Sequence, residues 1–225
     1  MPRIALIHAL AHSVAPINDA MARAWPECVR MNLLDDSLSA DLAASSSGLD
    51  DTMTARFIAL ADYAVGTGAQ GILFTCSAFG PCIDAVARRH VGIPVLKPNE
   101  GMVLEAVATG ARIGLVASFG PTLRSMPAEF PAGVELRTAL AEGALDALNA
   151  GGGALHDALV AQAASRLVDD GCSVIALAQF SLARASDAVA QRCGVPVLTT
   201  VDSAVRALRS RVSPSPSPSP PRGRG

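Results

Sequence analysis

A cysteine set between a short apolar run and a helix start is the residue of this chain best placed for chemistry. In GILFTCSAFGPC, residues 71–82, Ile72, Leu73 and Phe74 read as a buried strand, and Pro81 signals a helix soon after Thr75, Cys76 and Ser77. The Cys76 thiol therefore sits at the carboxyl end of a strand, just ahead of a helix amino terminus. Free backbone N–H groups and the positive end of the helix dipole there favour thiolate and attract carboxylates. A thiol so placed suits proton transfer or nucleophilic attack.

The elements around it alternate. Ile4 to Leu10 reads as a first strand, Pro16 to Trp25 as an amphipathic helix, Cys28 to Leu34 as a strand, and Asp50 to Val65 as a helix. After the Cys76 turn come a helix from Pro81 to His90 and a short strand from Ile93 to Leu96. The pattern then restarts with a helix at Glu100 to Thr109, strands at Arg112 to Ala117 and Val134 to Arg137, a helix at Ala154 to Asp169, and a strand at Ser173 to Ala178. Strands alternating with helices of this kind imply an α/β protein built on doubly wound parallel sheets. Ligands collect outside the carboxyl ends of such strands, where Cys76, His8, Ser13, Ser118 and Gln179 all fall. A histidine at a strand end is equally a hydrogen-bonded loop residue, and Ser13 equally a helix cap.

DAVARRHVGIPVL, beginning at Asp84, matches DAVAQRCGVPVL, beginning at Asp187, which marks an internal duplication. Carried back along the chain, the match pairs Cys76 with Gln179, Ser77 with Phe180, and Ala78 with Ser181. The second copy has the strand and the helix but no thiol. The expected organisation is a first half over residues 1–98, with a carboxyl-terminal helix 200–211 packed on it, and a second half over residues 99–199. Residues 212–225 read as a disordered Ser/Pro tail.

Composition narrows the function classes. Half of the residues are hydrophobic, the net charge is −2 and the basic residues are scattered, so neither nucleic acid nor a membrane surface is an expected partner. No apolar run approaches the length of a membrane span, and the start shows no cleavage-site pattern. The five cysteines form no CxxC pairs, an arrangement that fits a reducing cytoplasm better than a disulfide scaffold or a metal site.

The two similar halves, ILFTCSAFG, IPVLKPNE, RIGLVASFGPT and the duplicated DAV…GVPV block together resemble the aspartate/glutamate racemase superfamily over residues 3–210. That superfamily includes hydantoin racemases, maleate isomerases and arylmalonate decarboxylases. The resemblance implies an active site in the cleft between two pseudo-symmetric halves, with no metal or cofactor and a small carboxylate substrate held on backbone amides and hydroxyls. On this chain Ser118 and Thr122 resemble the hydroxyl-bearing carboxylate loop, Ser77 and Ala78 offer N–H groups beside Cys76, and Gln179, Phe180 and Ser181 line the second turn. A homo-oligomer is also in keeping with the type.

The departure from the resemblance is Gln179. Racemisation removes a proton from one face of a carbon and returns one to the other, which calls for two acid–base groups. Cys172 lies roughly 20 Å back along the strand from Gln179 and Cys193 lies past the following helix, so neither replaces the missing thiol. His8 or a water is left as the second group. A single thiol suffices for a decarboxylase, although in the arylmalonate decarboxylases the resemblance puts that thiol on the second-half turn. Loss of the second thiol is also compatible with a non-catalytic carboxylate-binding protein.

Overall fold

Long apolar stretches that alternate from face to face build two separate sheets. The computed structural model describes residues 1–45 and 48–212. The expected tail lies, beyond Val212, outside the described residues. The first half runs β1 (Arg3–His8), α1 (Val14–Ala24), β2 (Val29–Leu34), α2 (Ser37–Ala44), α3 (Asp51–Gly66), β3 (Gly71–Phe74), α4 (Gly80–Arg89) and β4 (Val95–Leu96). The chain continues through α5 (Glu100–Ala108), β5 (Ile113–Ala117), α6 (Gly120–Ser125), β6 (Leu136–Leu140) and α7 (Ala144–Asn149). It ends with α8 (Gly153–Asp169), β7 (Val174–Leu177), α9 (Ser186–Cys193), β8 (Val197–Thr199) and α10 (Thr200–Val212).

Both sheets are four-stranded and parallel, ordered β2-β1-β3-β4 and β6-β5-β7-β8. The two orders are the same, as a duplicated sequence requires. The central strands are buried on both faces, which is why they read as continuous apolar runs. Ala5, Ile7, Ile72 and Phe74 meet α3 and α4 on one side of the first sheet, and Ile4, Leu6 and Leu73 meet α1 and α10 on the other. In the second sheet, Ile175 and Leu177 pack under α8 and α9, while Ile113, Leu115, Val174 and Ala176 pack under α5.

The helix that follows the last strand of each sheet packs on the other sheet. α5 follows β4 of the first sheet but buries Met102, Val103 and Ala106 against the second. α10 follows β8 of the second sheet but buries Val201, Ala204, Val205 and Leu208 against the first. The two exchanged helices touch where a side chain would not fit, since a Cβ on Gly101 would lie 2.5 Å from the carbonyl oxygen of Ser203. One turn further on, Glu105 accepts from Ser203 Oγ at 2.6 Å and from Arg206 Nε at 2.7 Å.

Two short helices, α2 and α7, have no counterpart in the periodicity reading, and six-residue α6 forms only a short version of the helix expected at Thr122. Six to eight residues cover at most about two turns, too few to establish a 3.6-residue period. The strand expected at Val134 to Arg137 forms at Leu136–Leu140 on the sheet edge, where LRTAL keeps only half-buried or exposed side chains.

Candidate active site

In a 2-1-3-4 sheet the chain turns to opposite faces after strands 1 and 3, opening a crevice at their carboxyl ends. Cys76 follows β3 beside the end of β1; Gln179 follows β7 beside the end of β5. The two residues play the same backbone role. Each is extended, Cys76 at φ −128° and ψ 119°, Gln179 at φ −137° and ψ 148°, and each caps a 3-10 turn. The turn after Gln179, residues 180–185, packs on the 11–13 turn and on α1, so the two crevices adjoin at the seam between halves.

Cys76 is half-buried, with Ser77 and Ala78 exposed on the turn beyond it. Burial pushes its thiol above the ordinary range, and a hydrogen bond from the Ala78 backbone N–H works in the other direction. The resting group is therefore a thiol. Behind it lies a narrow crevice lined by Ile7, His8, Ala9, Leu38, Phe57 and Phe74. Phe57 stacks on Phe74 at 5.3 Å and tilts against Phe79 at 4.8 Å, which makes Phe79 part of the core behind the thiol.

His8 is the buried end of a polar chain that starts at exposed Asn32 and half-buried Asn18. The Val14 carbonyl can only accept, so Asn18 Nδ2 donates to it at 2.8 Å and gives its other hydrogen to Asn32 Oδ1, also at 2.8 Å. Asn32 Oδ1 then takes the Nε2–H of His8 at 3.0 Å. This leaves His8 Nδ1 as an acceptor for the Thr75 hydroxyl at 2.9 Å. Ser13 Oγ donates to the Leu10 carbonyl at 2.7 Å and lies 2.8 Å from Thr75 Oγ1. With 0% of its surface exposed, His8 is lowered in pKa, by burial first and against the opposing hydrogen bond to Asn32. Both ring nitrogens are committed, so His8 holds Thr75, the residue before Cys76, from the wall of the crevice they share. Ser13 makes no helix-capping bond and is likewise turned inward.

On the second half, Gln179 Oε1 accepts from the Ser118 backbone N–H at 2.7 Å and from Ser118 Oγ at 3.1 Å. Thr122 is half-buried in α6, whose six residues make only a short helix dipole. Phe180 is buried and packs with Ile17, Met21 and Trp25 of the first half, joining the halves. Ser181 is half-buried on the same turn. Phe119, after β5, and Leu10, after β1, are 48% and 46% exposed. Sequence reasoning missed Asn18, Asn32 and Thr75. The one available signal was Thr75 directly before the cysteine; nothing in the spacing of the asparagines points to a shared partner. Among the described residues no group of His, Cys, Asp and Glu side chains is arranged to hold a metal ion, and no helix is long and apolar enough to cross a membrane.

Two α/β halves of one topology, with a thiol at one switch point and an adjoining second switch point, define a two-lobed racemase-type architecture. The chain belongs to the Asp/Glu/Hydantoin racemase family, whose profile matches residues 12–208. A comparison with curated protein sequences gives no match. Solved structures of the same fold include an aspartate racemase homologue from Pyrococcus horikoshii, at TM-score 0.72 and 15% identity, over 94% of this chain and 99% of that one. Allantoin racemase from Klebsiella pneumoniae aligns at TM-score 0.69 and 19% identity, over 93% of this chain and 87% of that one. Unliganded arylmalonate decarboxylase aligns at TM-score 0.69 and 17% identity, over 100% and 98%.

Proposed function

We propose that this chain is a racemase- or isomerase-type enzyme that acts, without a cofactor, at a carbon next to a carboxylate or carbonyl, with Cys76 as its acid–base group. The observation that carries the reading is the half-buried thiol at the β1/β3 switch point, with the exposed Ser77–Ala78 backbone beside it. The substrate carboxylate is held at that turn on the Ser77 amide. A protonated thiol is a proton donor: the new C–H bond forms as S–H breaks, and the thiolate left behind is stabilised by the Ala78 N–H. In the reverse direction the thiolate takes the proton back from the same face. Water serves the opposite face, because His8 is committed to Asn32 and Thr75 and a glutamine side chain has no acid–base function. Free cysteines throughout suit a reducing cytoplasm.

Gln179 in the place of a second thiol favours one other reading, a lyase of malonate-like acids. Loss of carbon dioxide leaves an enediolate that needs a single proton, which Cys76 supplies. Both readings are tested by Cys76→Ser. Solvent deuterium incorporation at the α-carbon of candidate acids and hydantoins is expected to fall by ~10²–10⁴-fold, and unchanged incorporation rules out the acid–base role. Carbon dioxide release from substituted malonates, without exchange into the other substrates, selects the lyase.

A further inference from the structure

We infer that the Gln179 carboxamide occupies, from within the protein, the position of a second substrate carboxylate, so that the cleft takes acids presenting one carboxylate rather than two. The inference deepens the racemase or isomerase reading above, rests on its premise that carboxylates bind at the strand ends, and counts against the lyase reading, whose malonate-like substrates carry two carboxylates. Ser118 offers a backbone N–H and a hydroxyl at the carboxyl end of β5, the donor pair that a carboxylate oxygen takes at a switch point. Both already point at Gln179 Oε1, at 2.7 Å and 3.1 Å, which fills that oxygen's two lone pairs. Ser118 is 9% exposed, so its donors are withdrawn from water as well as from ligands.

The first half differs at the matching place. The Cys76 sulfur takes the Ala78 N–H alone, and the Ser77 and Ala78 turn beside it stays exposed. One carboxylate position is open and the other is closed by a neutral side chain. The guanidinium of Arg124 reaches the same second-half turn, its Nη1 lying 3.8 Å from where a Cβ on Gly120 would stand. Removing the carboxamide would therefore leave two free donors with a cation close by, a ready position for a second anionic group.

The test is an amide-resolved NMR titration with matched straight-chain mono- and dicarboxylates of three to five carbons. In the wild type, both series are expected to shift the Ser77 and Ala78 amides and leave Ser118 in place, with diacids binding no more tightly than monoacids. In Gln179→Ala, diacids are expected to shift Ser118 as well and to bind at least tenfold more tightly than they bind the wild type, while monoacids change by less than threefold. Gln179→Glu, which keeps both acceptor bonds, is expected to go on rejecting diacids. If Gln179→Ala loses its fold, Gln179→Met removes the acceptor at nearly constant length and gives the same readout. The inference is overturned if diacids displace Gln179 in the wild type, or if neither variant gains affinity for them. If the wild type prefers monoacids while Cys76→Ser keeps its turnover, the inference stands and only the acid–base role of the thiol fails.

Discussion

His8 is buried and Cys76 half-buried, and removal from water makes opposite demands on them. For Cys76, burial disfavours the thiolate, so reaction with iodoacetamide should be slow at neutral pH and its rate should still be rising above the thiol's ordinary value of 9.0. A rate that reaches its plateau below that value would contradict the geometry of the turn. For His8, burial disfavours the imidazolium, so the folded state takes up its proton at lower pH than the unfolded chain, whose histidine titrates near 6.5. The stability carried by neutral His8 is complete above 6.5 and is lost as pH falls from there toward the lowered folded value. Urea unfolding at intervals between pH 7.5 and 5 should show a loss of up to ~1.4 kcal/mol per pH unit attributable to this group. In His8→Gln that part of the pH dependence should disappear.

The exchanged helices α5 and α10 depend on a bare backbone at Gly101. A methyl group there meets the Ser203 carbonyl at 2.5 Å, and backbone cannot give way as a flexible side-chain tip can. Gly101→Ala is expected to lose ~1–3 kcal/mol by overpacking, read as a lower unfolding midpoint in calorimetry, even though alanine is the better helix former. Leu208→Ala, which removes a fully buried side chain of α10 from the first sheet, should cost ~2–5 kcal/mol. The sequence shows the strand before Cys76 because ILF is continuous and apolar and Pro81 marks the helix beyond the turn, and it shows Gln179 through the DAV repeat. It does not show that α5 meets α10 at Gly101, because an amphipathic face names no contact point. Phe180 illustrates the same limit: one position past a strand end, a phenylalanine can line a cleft or bury itself in the neighbouring half, and only the packing of the 180–185 turn on α1 decides. The Asn18, Asn32, His8 and Thr75 chain joins three separate elements and the turn after β3, and no local pattern records such a meeting.

For the molecule as a whole, the exchange makes each half incomplete. We propose the boundary between halves at residues 98 and 99, where β4 has ended and α5 has yet to begin. A fragment of residues 1–98 lacks α10, and residues 99–212 carry α10 with its apolar face uncovered. Each fragment expressed alone is expected to be unfolded or aggregated, and mixing them during refolding should restore a native amide spectrum. A folded, monomeric 1–98 fragment would contradict this. The reciprocal helices also bear on how the two walls of the cleft came to differ. Two identical subunits trading helices around a twofold axis would have to carry the same residue on both turns, two thiols or two carboxamides. Covalent fusion removes that obligation, since each position then has its own codon. In this chain both sheets keep one strand order, and Cys76 and Gln179 break the symmetry at the two matching turns where the proposed chemistry falls.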